Sequence, residues 1–258
     1  MPHLPGLPTD EREFRKNTTE QYAALGRFVE NFELMVNEVR ECSIDLVAHD
    51  GMNRELVGIA FHHHVLSAMP LIEIFRAIGA NIVGLTPVEK FNSGEDTFIS
   101  SDPSESSDPD DPKLKFSAAD RDAFSAIMKR IFAEYKDLSE TRNALLHGTW
   151  FVGYGSLQDP NASTFYVQKY QTTKIGLRPV EGLPKSAPDL ITLAQRCNDT
   201  RNWIGFLDWC LRGQEPFKDR FVHDRGDWFL VISGGHKTPL PNTPQPQSSP
   251  GQTEAGIR

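Results

Sequence analysis

The sequence predicts a mainly α-helical protein: an antiparallel four-helix bundle with a small antiparallel β hairpin or meander inserted between the third and fourth helices. Two observations support this fold class. Four long stretches repeat apolar residues at the three-then-four spacing of an amphipathic helix. Residues 149–182 instead cluster β-forming residues between Gly, Asp and Pro turn signals. Long amphipathic helices must cover each other's apolar faces, and an antiparallel bundle does so with short connections.

We predict a single folded domain over residues 17–232, between a flexible N-terminal arm (1–16) and a disordered C-terminal tail (233–258). The arm is Pro-rich and then charged, and the tail is rich in Pro, Gln and Ser. Within the domain, residues 92–115 are predicted to be a disordered acidic loop, because the stretch SSDPSESSDPDDP cannot bury enough apolar surface to become ordered. Residues 149–182 form the β insert.

The first two helices are predicted from capping residues and apolar faces. The first helix begins at the capping pair Asn17-Thr18 and stops at Gly51. The second spans about residues 53–78, ends at Gly79 and is apolar nearly all round, so we expect it to be the most buried helix. Pro70 removes a backbone donor and is predicted to kink it. The apolar face of the first helix consists of Leu25, Phe28, Phe32, Met35, Val39, Cys42 and Leu46.

The third and fourth helices flank the β insert. The third starts at Ser117, whose hydroxyl can cap it, and ends at Gly148. The fourth starts at the capping residue Ser186 and ends at Gly213, and a short strand over residues 228–232 follows. The stripe of the fourth helix consists of Leu190, Leu193, Cys197, Ile204, Leu207 and Leu211.

Charge and cysteine usage restrict the class of protein. Residues 95–111 contribute seven acidic residues and no basic one to a net charge of −8, so the remaining chain is close to neutral. Cys42, Cys197 and Cys210 lie in apolar helical patterns without CxxC spacing, which predicts reduced core thiols and a cytoplasmic location. Residues 65–78, the longest apolar stretch, are interrupted by Pro and charged residues, so no membrane span is predicted.

The end of the third helix carries most of the chemical information. Its stripe consists of Phe124, Met128, Ile131, Tyr135 and Leu138, and the same spacing next reaches Arg142 and then Leu145. A guanidinium therefore occupies a core position. Burying a charge costs several kcal/mol unless the charge is paired, so this placement requires a functional or structural reason. Asn143 follows the arginine directly, and His147 stands at the helix end.

The six residues Arg142-Asn143-Ala144-Leu145-Leu146-His147 resemble the R-x4-6-H motif of the HEPN superfamily, including the polar residue that often follows the arginine. The resemblance implies a helical bundle with its motif near the end of a core helix, as predicted here over residues 17–213. It also implies a metal-independent ribonuclease that works as a homodimer, often a toxin or phage-defence effector, with an antitoxin or other protein as partner. The β insert, the acidic loop and the tail are not explained by it.

These residues suit RNA cleavage by the 2′-OH group, which requires a base, an acid and positive charge at the phosphate. Histidine can be base or acid but not both at once, and an arginine fork suits a phosphate. Two Arg142/His147 pairs across a two-fold axis would supply both roles, so we expect a homodimer. Asn143 shares a helix face with His147 and is assigned an orienting role, whereas Arg142 lies about 140° away from His147.

The alternative function is a catalytically inactive HEPN-like interaction module. In that case Arg142 forms an ion pair inside the bundle, and His147 stabilises the helix end through the helix dipole. The near-neutral composition outside the acidic loop, without an evident basic patch, favours this alternative.

Other candidate sites carry weaker signals. Consecutive side chains of His62-His63-His64 point in three directions along a helix, so we predict packing or surface roles. Arg201-Asn202 lacks a following histidine, and no phosphate loop, paired carboxylates or Ser/His/Asp arrangement is recognisable, so we predict no cofactor and no metal. The aromatic and basic residues of the β insert fit either base stacking or packing of a hairpin on the bundle, and we favour packing. They are Phe165, Tyr166, Lys169, Tyr170, Lys174 and Arg178.

Overall fold

The structure, a computed structural model, is mainly helical. It describes residues 11–49, 53–63, 67–86, 99–100, 116–147, 149–155, 163–168, 170–173, 176–179, 183, 186–213, 216–225, 227–231, 235 and 237–240, with the backbone alone in the β insert. Its described helices are α1 (Glu11–His49), α2 (Arg54–His63), α3 (Ala68–Ile82), α4 (Ala118–His147), α5 (Ala187–Leu211) and the short α6 (Phe217–Arg220).

All described strands pair antiparallel. The strands β3 to β6 form two separate pairs between α4 and α5, which confirms the predicted antiparallel β insert. A three-stranded sheet, β7-β8-β9, follows α6. The strand bounds are β1 Leu85–Thr86, β2 Ile99–Ser100, β3 Thr149–Gly155, β4 Ser163–Gln168, β5 Tyr170–Thr173, β6 Gly176–Pro179, β7 Phe221–Asp224, β8 Asp227–Val231 and β9 Lys237–Pro239.

Helix α1 is the element around which the others pack. It packs most extensively against α5 and also meets α2, α3, α4, β3 and β4. The predicted apolar face is confirmed: Leu25 is partly buried, and the other residues from Phe28 to Leu46 on that face are buried. The helix begins at Glu11, upstream of the predicted cap at Asn17-Thr18, so the predicted arm is helical from that residue onward. Its charged residues are good helix formers, and Lys16 pairs with Glu20 one turn later at 3.9 Å.

The predicted second helix is two helices, and its predicted kink at Pro70 is wrong. Pro70 stands in the first turn of α3, where a helix does not require the missing backbone donor. The expectation that this region is the most buried helix is wrong: α3 has five buried residues among its 15, whereas α5 has eleven among its 25. On α2, Leu56 and Ile59 are 67% and 53% exposed.

Gly79 does not end its helix as predicted, because α3 continues to Ile82. The glycine is required for close packing. A Cβ atom at this position would lie 2.8 Å from Cζ of Phe124 on α4 and 3.2 Å from Cδ1 of Leu211 on α5. The absence of a side chain therefore allows three helices to approach each other.

The predicted starts of α4 and α5 are confirmed by their caps. The Ser117 hydroxyl accepts from the Asp120 backbone N–H at 3.2 Å, while the Asp120 carboxylate accepts from the Ser117 N–H at 3.0 Å. Ser186 accepts from the Asp189 N–H at 3.3 Å, and Gly213 adopts a positive φ of 72° just beyond α5. The predicted stripe residues of both helices are buried, together with the free thiols of Cys42, Cys197 and Cys210.

Two predicted boundaries of irregular segments require correction. The tail was predicted to begin at residue 233, but Lys237–Pro239 pairs with β8 and Leu240 is only 2% exposed. These residues cover apolar surface at the end of the domain, a role that the Pro-rich composition does not indicate. Within the predicted acidic loop, Ile99–Ser100 pairs with β1, and the rest of residues 92–115 lies outside the described part.

Candidate functional site

Arg142 lies near the end of α4 and faces α1. Its Nη2 donates to Oε1 of Glu33 at 2.8 Å, and its guanidinium carbon lies 5.5 Å from the centroid of the Phe32 ring. The Arg142 side chain is 26% exposed, whereas Leu138 and Leu145 on the same stripe are fully buried. The arginine thus stands at the edge of the core, paired with a carboxylate of another helix.

Arg142 belongs to a polar strip that crosses the apolar contact between α1 and α4. Tyr135 precedes it by two helical turns on the same face of α4, and Arg40 follows Glu33 by two turns on α1. Burial raises the pKa of Tyr135, with Arg40 lowering it and Glu33 raising it as the nearby charges. Glu33 of α1 thus pairs with Arg142 and also acts on Tyr135, two turns away on α4.

Three polar atoms of this strip lack hydrogen-bond partners among the described residues. They are Nε of Arg142, Nε of Arg40 and the hydroxyl of Tyr135, and all three are buried. Buried polar atoms are usually satisfied, so their occurrence together marks a site where the interior is not optimised for stability alone.

Asn143 is exposed and contacts the arginine beside it. Its Oδ1 accepts from Nη1 of Arg142 at 3.4 Å, a long hydrogen bond. The sequence interpretation paired Asn143 with His147 through their shared helix face. The structure adds a contact with Arg142, so the amide can orient the guanidinium as well.

His147 is the last residue of α4 and is exposed. Because α4 remains α-helical up to this residue, Arg142 and His147 stay about 140° apart around the helix axis. A single chain therefore does not bring these two side chains onto one face. Leu146, between them in space and sequence, is 39% exposed.

A second arginine bridges α4 and α5 and has a structural role. Arg196 donates from Nε to Glu134 and from Nη2 to Asp137, both at 2.6 Å. Burial lowers the pKa of Arg196, but hydrogen bonding and attraction to the two carboxylates outweigh it and raise the pKa overall. Two nitrogens of the Arg196 guanidinium donate to carboxylates, whereas Arg142 donates to its carboxylate partner through Nη2.

A buried carboxylate lies on α5, facing α1. Asp208 is 3% exposed, and its Oδ2 accepts from Nε and Nη2 of Arg212 at 3.0 and 2.6 Å. Its Oδ1 is buried without a hydrogen-bond partner among the described residues. Burial raises the pKa of Asp208 to about 6; Arg212 opposes the shift, whereas Asp45 and Glu38 add to it.

Sequence reasoning missed Glu33 and Phe32 as neighbours of Arg142. Their contact joins residues 109 positions apart, and no local pattern distinguishes Glu33 from the other charges of α1. The side chains of His62-His63-His64 and of the aromatic and basic residues in the β insert lie outside the described part. Arg201 and Asn202, which carry no motif, line a groove between α5 and α1.

Comparisons of the chain with protein-family models, curated proteins and solved structures found no match. In the described part, no three His, Cys, Asp or Glu residues are grouped to hold a metal ion, and no helix there has the length and hydrophobicity of a membrane span. The argument for function therefore rests on the residues around Arg142.

Proposed function

We propose that this protein is a HEPN-like, metal-independent endoribonuclease with an antiparallel four-helix bundle and that it acts as a homodimer. One observation carries the proposal. Arg142 is a half-buried guanidinium with an unsatisfied Nε, held at the end of a core helix that terminates in the exposed His147. The motif R-x4-H in this setting is typical of HEPN ribonucleases.

Cleavage would proceed by attack of the RNA's own 2′-OH group on the adjacent phosphorus. His147 of one copy removes the 2′-OH proton, a new O–P bond forms, and the bond to the 5′ oxygen breaks. His147 of the second copy donates a proton to that leaving oxygen, which gives a 2′,3′-cyclic phosphate and a 5′-OH end. Arg142 stabilises the charge that develops on the phosphate oxygens.

The ion pair with Glu33 is compatible with this role. Glu33 is 54% exposed, and ion pairs of exposed groups are worth about 0–1 kcal/mol, so a phosphate can displace the carboxylate at low cost. Phe32 continues to hold the guanidinium in place while its partner changes. Asn143 restrains the same guanidinium from the side.

The test is an RNA-cleavage assay on the purified full chain in the presence of EDTA. We expect cleavage, and its reduction by at least about a hundredfold in His147→Ala, because general acid–base catalysis contributes about 10²–10⁴-fold. His223→Ala is the matched control, since His223 is also exposed but lies on β7. Absence of cleavage, or equal rates for His147→Ala and the control, would contradict the proposal.

The second candidate function is a catalytically inactive HEPN-like module that binds a partner protein. The Arg142–Glu33 ion pair and the Phe32 contact favour it, because both give the arginine a structural role. Under the enzyme proposal, the chain acts as a toxin or phage-defence effector restrained by an antitoxin. Growth arrest on expression of the wild type, but not of His147→Ala, distinguishes the two functions.

A further inference from the structure

A groove of about 330 Å³ lies between α1 and the second half of α5. It is lined by Glu38 of α1 and by Arg201, Asn202, Gly205, Phe206 and Trp209 of α5. Its volume is in the range of small-molecule sites, about 300–1,000 Å³. Glu38 and Glu33 lie about 140° apart around α1, so the groove and the Arg142 ion pair occupy different faces of this helix.

Gly205 forms the part of the groove beneath the Glu38 carboxylate. A Cβ atom at Gly205 would lie 3.1 Å from Oε1 of Glu38 and would meet no other atom closer than 3.4 Å. The carboxylate therefore lies over the glycine, and any side chain at this position would push it aside. The glycine at position 205 thus leaves room for the Glu38 carboxylate in its observed position.

Glu38 and Arg201 line the same groove without neutralising each other. Among the described residues, the carboxylate accepts a weak hydrogen bond from Sγ of Cys42 at 3.8 Å, and Nη2 of Arg201 donates to the Asn198 amide at 3.0 Å. Neither residue forms a salt bridge with any residue that the structure describes. Two opposite charges that remain apart in one groove suit a ligand with a donor edge at one end and an anion at the other.

The remaining wall is aromatic. Trp209 is 41% exposed, which is unusual for a residue of this size. The guanidinium of Arg212 lies 5.9 Å from the Trp209 ring centroid, and that of Arg220 lies 5.3 Å from the ring of Phe206. Exposed aromatic rings with neighbouring guanidinium groups are the surface on which unpaired nucleobases stack.

The Glu38 carboxylate favours one of the four nucleobases. A carboxylate only accepts hydrogen bonds, and guanine is the base whose Watson–Crick edge presents two adjacent donors, N1–H and the N2 amino group. Adenine and cytosine place a ring acceptor beside their single amino group, and uracil places carbonyls on both sides of N3–H. An acceptor facing Glu38 would be repelled.

We propose that this groove binds a guanine nucleotide. The base stacks on Trp209, its N1–H and N2 amino groups donate to Glu38, and its phosphate lies at Arg201. The same chemistry occurs in free guanosine monophosphate and in a guanosine of single-stranded RNA. This binding site goes beyond the proposed cleavage and does not depend on it.

The test is a calorimetric titration of the full chain with 5′-GMP, 5′-AMP and 5′-UMP. We expect GMP to bind at least about tenfold more tightly than the other two, and Glu38→Gln and Trp209→Leu to weaken GMP binding by a similar factor. Glu30→Gln is the control, since Glu30 is an exposed acid of α1 outside the groove. Undetectable GMP binding, equal AMP binding, or unchanged binding by both groove variants would overturn the proposal.

Two further arms separate the sources of the ligand and the two proposals. An oligouridine with one central guanosine is compared with plain oligouridine: preferential binding identifies RNA as the source, whereas GMP binding without this preference identifies the free nucleotide. Arg142→Ala should bind GMP like the wild type. If GMP binds but no RNA is cut, the cleavage proposal fails and the groove assignment stands. If RNA is cut but GMP does not bind, the groove assignment alone is overturned.

Discussion

In the proposed function, Arg142 combines a structural position with a catalytic one. Its ion pair and its contact with Phe32 fix the guanidinium, while its 26% exposure leaves it accessible to a phosphate. Arg196 on α5, by contrast, directs its hydrogen bonds to two carboxylates of α4. The difference between the two residues lies in how completely each is neutralised.

We predict that Arg142→Ala removes RNA cleavage while costing only about 1 kcal/mol of stability, because the ion pair is worth about 0–1 kcal/mol and the cation–π contact about 0.5–1 kcal/mol. For a chain of this length, that cost corresponds to a Tm lower by about 2–4 °C. Thermal melts and the cleavage assay measure the two effects. Glu33→Gln is the control for loss of the ion pair with the arginine retained. A large loss of stability in Arg142→Ala would instead assign the arginine a structural role.

Asp208 makes stability depend on pH. Its folded-state pKa is raised to about 6 from 3.8, so between these values the folded protein binds more protons than the unfolded chain. Stability from this group is therefore present below pH 3.8 and is lost as the pH rises through about 6. The full loss is about 3 kcal/mol at most, from a shift of about two pKa units.

Asp208→Asn lacks this titration, so we expect the variant to gain in stability relative to the wild type as the pH rises from 4 to 7. Urea unfolding of both proteins at the two pH values measures the difference. Asp45, Glu38 and Arg212 remain in both proteins and cancel in the comparison to first order. A stability difference that is the same at pH 4 and pH 7 would contradict the shifted pKa.

At the scale of elements, α3 depends on Gly79. We expect Gly79→Ala to destabilise the protein by about 1–3 kcal/mol, although alanine is the better helix former, because the new methyl group overlaps the Phe124 ring. Gly26→Ala in α1 is the matched control: a Cβ there meets no atom within 4 Å, and we expect a gain of about 0.5–1 kcal/mol. Chemical denaturation measures both changes. A neutral or stabilising Gly79→Ala would show that the helices can move apart.

The elements that could be predicted from the sequence are those with local signals. The hydroxyls of Ser117 and Ser186 cap their helices through residues three positions later, and the stripe from Phe124 to Leu138 repeats at helical spacing. The break between α2 and α3 was missed because their apolar residues follow one another without a change of period. The sequence predicts a helix end at Gly79, because the residues that require a glycine there, Phe124 and Leu211, are distant in the chain.

The candidate site likewise contains features that the sequence predicts and features that it does not. The spacing of the stripe predicts a core position for Arg142, whereas the structure places it at the edge of the core with 26% of its side chain exposed. Three features result from the packing of α1 against α4 and α5. They are the Glu33 partner of Arg142, the groove around Arg201, and the Glu38 carboxylate in that groove. Contacts of this kind leave no periodic pattern, so sequence alone does not indicate them.

At the scale of the whole molecule, the angle between Arg142 and His147 makes a homodimer necessary for the proposed chemistry. We predict that dimers with one wild-type and one His147→Ala subunit, isolated by two affinity tags, have far less than half the activity of the wild-type dimer. The reason is that each cleavage requires one histidine as base and the other as acid. Half activity would indicate that each chain carries an independent site, and a monomer in light scattering would contradict the two-copy mechanism.

The order of the helices has a consequence for the synthesis of the protein. Of the described helices α1 is synthesised first, but its most extensive neighbour, α5, follows only after α4 and the β insert. Until then, the part of the apolar face of α1 that packs against α5 lacks its cover. Exposed apolar side chains on a nascent chain are binding sites for chaperones, so we expect chaperone occupancy to persist until α5 has emerged.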